Sequence, residues 1–415
     1  MKISRRIFLK SGGVAMLGMS AMPAFLQRAV ADTPAPNKKK LVVLFQRGAM
    51  DGLNVVVPFA EPNYYRFRPT IAIPQPKSGG ARAAIDLDGF FGLHPSLQPF
   101  AQLFHSGRLA VVHAVGSPDP SRSHFDAQDF MESGTPGIRS TDDGWLNRSL
   151  QTMPEEKVSA LRAVAFGPYL PLTLRGRAPA VAIPDLKQFK IFGNPRVTET
   201  AFEAMYGQSS DSAMRRVGRE TFEAVDSLRK LDPDNYQPEN GAQYPKSRFG
   251  RSLQEIAELI KADLGMEAAF LDSGGWDNHV NEGGAEGQLA NLLRDLAQGI
   301  AAFHQDLGDR MEDVVFVSMS EFGRTAHENG NAGTDHGHAN CMFVMGGPVK
   351  GGKVYTKWPG MNDGQLYQDR DLAVTTDYRS VLGEILVRHF GSRDLRTVFP
   401  GFDNDPAKFL NILKS

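Results

Sequence analysis

Cysteine is nearly absent: Cys341 is the one thiol among 415 residues. That excludes an intramolecular disulfide and any zinc or iron–sulfur site built on cysteine. An excess of charge is missing too. The 46 basic and 47 acidic side chains leave a formal net charge of -1. This argues against nucleic acid as a partner, since such binders carry a basic excess. The apolar stretch from Gly12 to Leu26 is too short, too glycine-rich and too broken by Pro23 to cross a bilayer as a helix. Collagen, coiled coil, disulfide scaffold and multi-span membrane protein are all ruled out by these counts. What remains is a globular composition, 41% hydrophobic, with 42 glycines and 26 prolines that announce many loops but not disorder.

The first 31 residues read as an address label. Ser4-Arg5-Arg6-Ile7-Phe8-Leu9-Lys10 matches the twin-arginine export signal, and Ala29-Val30-Ala31 gives a small-residue cleavage site. The mature chain is therefore expected to start at Asp32, with a Pro/Lys linker over 32–40 and one domain over 41–415. A periplasmic or secreted location follows, with the twin-arginine translocase as the partner during export. That route carries folded proteins, often with a cofactor already loaded, which suits a metal site and a chain without disulfides.

Short apolar runs at Leu41–Phe45, Leu109–Val115, Met266–Leu271, Val314–Val317 and Cys341–Met345 read as buried strands, and 159–193 holds one or two more. Helices are expected over Leu97–Phe104, Ser123–Glu132, Leu253–Leu264, Gln288–Leu307 and Thr376–Phe390. Such alternation predicts an α/β sandwich, a mostly parallel sheet flanked by helices. The polar segment near 199–247 reads as a helical insertion. In sheets of this kind ligands bind beyond the carboxyl ends of the strands.

Five polar clusters sit at those positions. They are Asp51 after the first run, Ser121-Arg122-Ser123-His124 after the second, Asp277-Asn278-His279, Ser320-Glu321, and Asp335-His336-Gly337-His338. Mixed carboxylates and imidazoles suit a divalent ion such as Zn²⁺, Mn²⁺, Mg²⁺ or Ca²⁺. Asp51, Asp277, His279, Glu321, Asp335, His336 and His338 are the candidate ligands. Two cations a few ångströms apart would stabilise both the entering and the leaving oxygen of an in-line displacement. Ser123 at a helix start is the candidate nucleophile, and Arg122 the candidate clamp for the oxygens of phosphate or sulfate. Plainer roles stand beside these: Ser123 as a helix cap, Arg122 as an exposed arginine at the start of a helix, Asp51 bonding its own turn, and Asp277 and His279 on a solvated loop. His94, His105, His113, His304 and His389 fit packing roles, and His327 an exposed loop.

Together, the twin-arginine signal, the turn Arg47-Gly48-Ala49-Met50-Asp51-Gly52, Ser121–Gln128, Gly275–His279, Ser320–Thr325 and Thr375–Arg379 resemble the exported family DUF1501 over nearly the whole mature chain. That family has no assigned reaction and is grouped with the alkaline phosphatases and sulfatases. The resemblance implies an alkaline-phosphatase-like sandwich and a divalent metal centre of one or two ions. By position it makes Asp51, Asp277 and His279 metal ligands and Ser123 the nucleophile. His338 matches the late histidine, with His336 as the alternate. Glu321 stands where an Asp-His pair is expected, and Phe322 replaces that histidine. The sulfatase signature is broken by Pro118, which disfavours a formylglycine enzyme.

The function expected is exported, metal-dependent hydrolysis of a small or polymeric phosphate or sulfate ester, with Ser123 or a metal-bound hydroxide as nucleophile. The alternatives are a non-catalytic member that binds an anionic ligand or envelope polymer, and a structural envelope protein with no pocket. The resemblance also implies a second exported protein as partner.

Overall fold

The computed structural model of the chain describes residues 39 to 414, apart from 79, 140, 154–158, 188–223, 225–226, 229–230 and 404. The expected signal peptide and most of the 199–247 segment lie outside the described residues.

Strand β1 (Lys40–Gln46) grows from a run of Leu, Val and Phe and is buried at every residue. A strand apolar on both faces has to sit inside a sheet covered on both sides. It does: β5 (Ala268–Ser273) and β6 (Val314–Met319) pair with it in parallel, one on each side. The other strands are β2 (Leu109–Gly116), β3 (Ala163–Phe166), β4 (Ala180–Ile183), β7 (Asn340–Gly346), β8 (Val354–Tyr355) and β9 (Thr376–Asp377). They complete a sheet in the order β8-β2-β7-β6-β1-β5-β3-β4, with β9 also on β2.

Strand β7 is the exception to the parallel pattern. It runs antiparallel to both neighbours, with Val344 beside Val317 on one side and Ala110 on the other. This reversal matters for function. The amino end of β7 comes to the same edge as the carboxyl ends of β1, β2, β5 and β6. Polar residues that follow four strands and precede a fifth therefore meet at one edge.

Helices cover both faces. The main ones are α1 (Gln98–His105), α2 (His124–Ser133), α3 (Trp145–Gln151), α4 (Arg248–Ala262), α5 (Gln288–Leu307) and α6 (Tyr378–Ile385). Successive side chains of a strand point to opposite faces, and β1 obeys. Val42 and Leu44 pack with Phe100, Leu253, Ile256, Leu293 and Leu296. Leu41, Val43 and Phe45 pack with Trp145, Leu146, Val381, Leu382 and Ile385. Each such side chain contributes about 1.5–3 kcal/mol on full burial, so a charge placed at Val43 would break the layer outright. The five expected helices begin and end within a turn or so of the sequence expectation, and α3 is an additional helix. Helix α4 starts earlier than expected because Ser247 caps it, accepting from Gly250 N. The last helix changes after Ile385 to a π-type turn over Leu386–Phe390. Among the described residues no helix is long and apolar enough to cross a membrane.

Candidate metal centre

The loops at the shared edge are held by specific contacts. After β1 the chain turns at Gly48 with φ +118°, where a Cβ would lie 2.7 Å from Asp277 N. Glycine alone allows that turn to press against the loop after β5. After β2, Ser123 caps α2, its Oγ accepting from Asp126 N at 3.5 Å, and His124 opens the helix. The loop between β6 and β7 is pinned by a β-bridge between Arg324 and His336. Arg324 is fully buried and joins these loops. It donates to the carbonyls of Gly48, Ala49 (2.6 Å), Trp276 (3.1 Å) and Thr334 (3.1 Å), and to Asp277 Oδ1 (2.6 Å).

Three imidazoles converge in front of this arginine. The Nε2 atom of His336 lies 3.0 Å from that of His124 and 2.9 Å from that of His279. Asp277 Oδ1 joins them, 3.0 Å from His279 Nε2, 3.4 Å from His336 Nε2 and 3.5 Å from His124 Nε2. The cluster is partly open to water, with the Asp277 side chain 46% exposed. Phe322 forms its floor, stacked on His124 with ring centroids 5.0 Å apart and 5.1 Å from His336.

The far nitrogen of each ring is also engaged. His124 Nδ1 meets Glu321 Oε1 at 2.7 Å, His279 Nδ1 meets Asp335 Oδ1 at 3.1 Å, and His336 Nδ1 meets the carbonyl of Arg122 at 2.8 Å. All three partners are acceptors, so each Nδ1 carries a hydrogen; this leaves Nε2 as the ligating atom, those of His124 and His279 each facing that of His336. The Arg324 guanidinium already faces part of this set, Nη2 on Asp277 Oδ1 at 2.6 Å and Nη1 3.4 Å from His279 Nε2, and the other lone pairs stay available to a metal ion. The donors are the imidazole and carboxylate atoms that borderline divalent ions prefer. The Nδ1 contacts are the outer partners that fix ring orientation in metal sites. The residues present therefore fit a divalent metal ion.

Electrostatics agree with this division of labour. The bond to Glu321 raises the His124 imidazole above its ordinary value. Burial lowers that of His336. Burial pushes the Glu321 carboxyl up, but bonds from His124, Gln128 and Gly48 N outweigh it and hold it ionised. Burial works the same way on Asp277, and Arg324 overcomes it.

Several sequence expectations need correction in place. Asp277, His279 and His336 do come together. Glu321 and Asp335, expected as ligands, stand one layer out, each holding an imidazole by Nδ1. Asp51, expected as a ligand, lies apart from the converged atoms, both its oxygens accepting from the buried Arg68 guanidinium. His338, expected as the late histidine, stacks on Tyr367 at 4.4 Å, apart from the converged atoms. The bridge to Arg324 brings His336 there instead. Arg122, expected to clamp an anion, has its guanidinium on Asp371 (Nη2–Oδ2 2.5 Å) and Gln368. Ser123 is exposed and serves as the cap.

His124 was the residue missed. Its neighbour Ser123 drew the attention, and adjacent helical residues point about 100° apart. The signal that could have found it is a histidine on the first turn of a helix that starts at the carboxyl edge of a sheet. Nothing in the sequence reveals the four carbonyl partners of Arg324.

Residues 38–398 match the family described as "Protein of unknown function (DUF1501)". The chain belongs to that family. No curated relative matches it. Among solved structures, it is similar to the C-terminal periplasmic domain of EcEptC from Escherichia coli, in complex with Zn. Identity there is 9%, coverage is 76% of this chain and 73% of that one, and the TM-score is 0.35. The PsFucS1 sulfatase from Pseudoalteromonas sp. is 12% identical, covering 92% and 77%, with TM-score 0.35. An alkaline phosphatase from the Antarctic bacterium TAB5 is 10% identical, covering 76% and 93%, with TM-score 0.32. Likeness this distant transfers no residue role to the DUF1501 chain.

Proposed function

We propose that this DUF1501 chain is an exported, metal-dependent hydrolase of phosphate or sulfate esters. The observation that carries the metal reading is the convergence of His124, His279 and His336 Nε2 with Asp277 Oδ1, every far nitrogen being anchored. His124, Asp277 and His336 offer atoms all within 4.8 Å of one another and would hold the ion, with His279 beside His336 and Asp277 as the fourth candidate. A divalent cation there supplies Lewis acidity to an ester oxygen and makes water more acidic. The ester class comes from the family resemblance read in the sequence.

The chain's own residues have distinct tasks. Glu321, Asp335 and the Arg122 carbonyl orient the three rings. Arg324 holds the loops in register and fixes Asp277, and Phe322 closes the floor against water. The Ser123 hydroxyl caps α2, so this reading assigns the attack to water, with Ser123 as the alternative nucleophile. The test is to strip the purified protein with a chelator, restore Zn²⁺ or Mn²⁺, and follow an aryl phosphate and an aryl sulfate. Turnover that depends on metal and vanishes in His336→Ala supports the reading. Metal bound without turnover on any ester favours the second reading, a non-catalytic binder of anions. That reading draws on Arg122 and Ser123 being already engaged.

Export belongs to the same proposal. Lysine at positions 5 and 6 should leave the precursor in the cytoplasm on cell fractionation, and undiminished periplasmic protein would refute the twin-arginine route.

A further inference from the structure

The edge carries a second charged cluster that this chemistry leaves unused. Asp51, Arg68 and Glu282 are 2%, 0% and 0% exposed. Arg68 makes every bond its guanidinium can make. Nη1 and Nη2 take one oxygen of Asp51 each, Nη1 also reaches Asn54 Oδ1 (2.9 Å), Nη2 the Thr325 carbonyl (2.8 Å), and Nε the Ala326 carbonyl (3.0 Å). A guanidinium has five N–H donors, and all five are used.

Glu282 completes the group. Its Oε2 accepts from Thr334 Oγ1 at 2.6 Å, while its buried Oε1 finds no donor among the described residues. Burial and the charge of Asp51 push its carboxyl well above the ordinary range. A proton on Glu282, shared with Asp51, satisfies Oε1. The sum is then one cation, one anion and one neutral acid, a balanced set. A divalent ion at Asp51 would either displace a guanidinium with five bonds or sit beside it on the same carboxylate, two cations buried side by side, at a cost that such a site does not recover.

We infer that Arg68 is a built-in substitute for a second metal ion, so that the centre takes a single cation and Asp51 is a framework residue. Of the one or two ions expected from the sequence, a second at Asp51 does not fit these residues. The inference rests on the metal reading above, and its test separates the two.

Chelator-treated mature protein is titrated with Zn²⁺ alone, and bound ions are counted by native mass spectrometry. One ion per chain is expected, lost in His336→Ala and in Asp277→Asn. Asp51→Asn, which keeps the shape of the side chain, should still take one ion with unchanged affinity. Two ions on the wild-type chain, both removed by chelator, would overturn the inference and leave the metal reading standing. So would loss of the ion from a folded Asp51→Asn variant. A wild-type chain that takes none refutes both. Should Asp51→Asn not fold, the wild-type count decides alone.

Discussion

Two sets of three histidines show how differently one side chain can be used within a single sheet. His94, His113 and His389 are buried, and each gives its Nε2–H to a backbone carbonyl, of Gly284, Val56 and Lys40. In the first two, Nδ1 also accepts from a backbone N–H, of Ser96 and Ala114. These rings are neutral and complete. His124, His279 and His336 are arranged the other way round. Nδ1 is tied to an acceptor and Nε2 faces another Nε2. The first set spends Nε2 on the backbone, whereas the second keeps Nε2 at the open edge beside Arg324, where a metal ion can reach it. The carboxylates differ in exposure rather than in having partners: Asp51, on Arg68, is 2% exposed, whereas the Asp277 side chain, on Arg324, is 46% exposed and open to a ligand.

The largest effect that would break this contrast is on metal. His336→Ala should abolish metal binding and any turnover, while His113→Ala should lower stability by leaving Val56 O unpaired and a cavity behind, with metal content intact. Elemental analysis of both purified variants decides, and metal loss from His113→Ala would erase the distinction.

A smaller effect tests the outer partners. Glu321→Gln keeps the shape but removes the charge that holds His124 Nδ1–H. Metal affinity should fall about 10–100-fold, measured by competition with a chromophoric chelator. An unchanged affinity would mean that Glu321 does not orient His124.

His124 should also respond to pH with a sign opposite to that of the buried set. Burial lowers His94, His113 and His389 to about 4 each. Between about 4 and the free imidazole value of about 6.5, the unfolded chain binds protons there that the folded chain does not. Stability then rises with pH across that window and is lost as pH falls through it. His124 is raised by Glu321. In the metal-free chain its contribution is fully present below the free imidazole value and is lost as pH rises through the raised one. Urea midpoints of the metal-free protein, with and without His124→Gln, should show both slopes. A flat profile from pH 4 to 6.5 would contradict the buried set.

The smallest effect concerns the cap. Ser123→Ala should cost about 0.5–2 kcal/mol of stability in urea unfolding and leave ester turnover near normal. Abolished turnover in a folded, metal-loaded variant would restore Ser123 as nucleophile.

Much of this was legible in the residues. Apolar runs fixed β1, β2, β6 and β7, and Asp277, His279 and His336 stood out because polar residues crowd next to strands there. Partner arithmetic was not legible. Asp51 looks like a ligand in the sequence because it follows a strand, yet Arg68, 17 residues away, takes both its oxygens. Glu282 gave no signal, since nothing local says it will be buried against Asp51. The choice of His336 over His338 depended on a bridge to Arg324, a tertiary contact. The reversed direction of β7 was equally hidden, because a short apolar run reads the same in either sense.

The most direct test is an anomalous difference map from crystals of the metal-loaded protein, collected on both sides of the metal's absorption edge. The expected result is a single peak bounded by His124, His279 and His336 Nε2 and Asp277 Oδ1, with Arg68 still on Asp51. A peak at Asp51 or His338, or none between the three imidazoles, would contradict it.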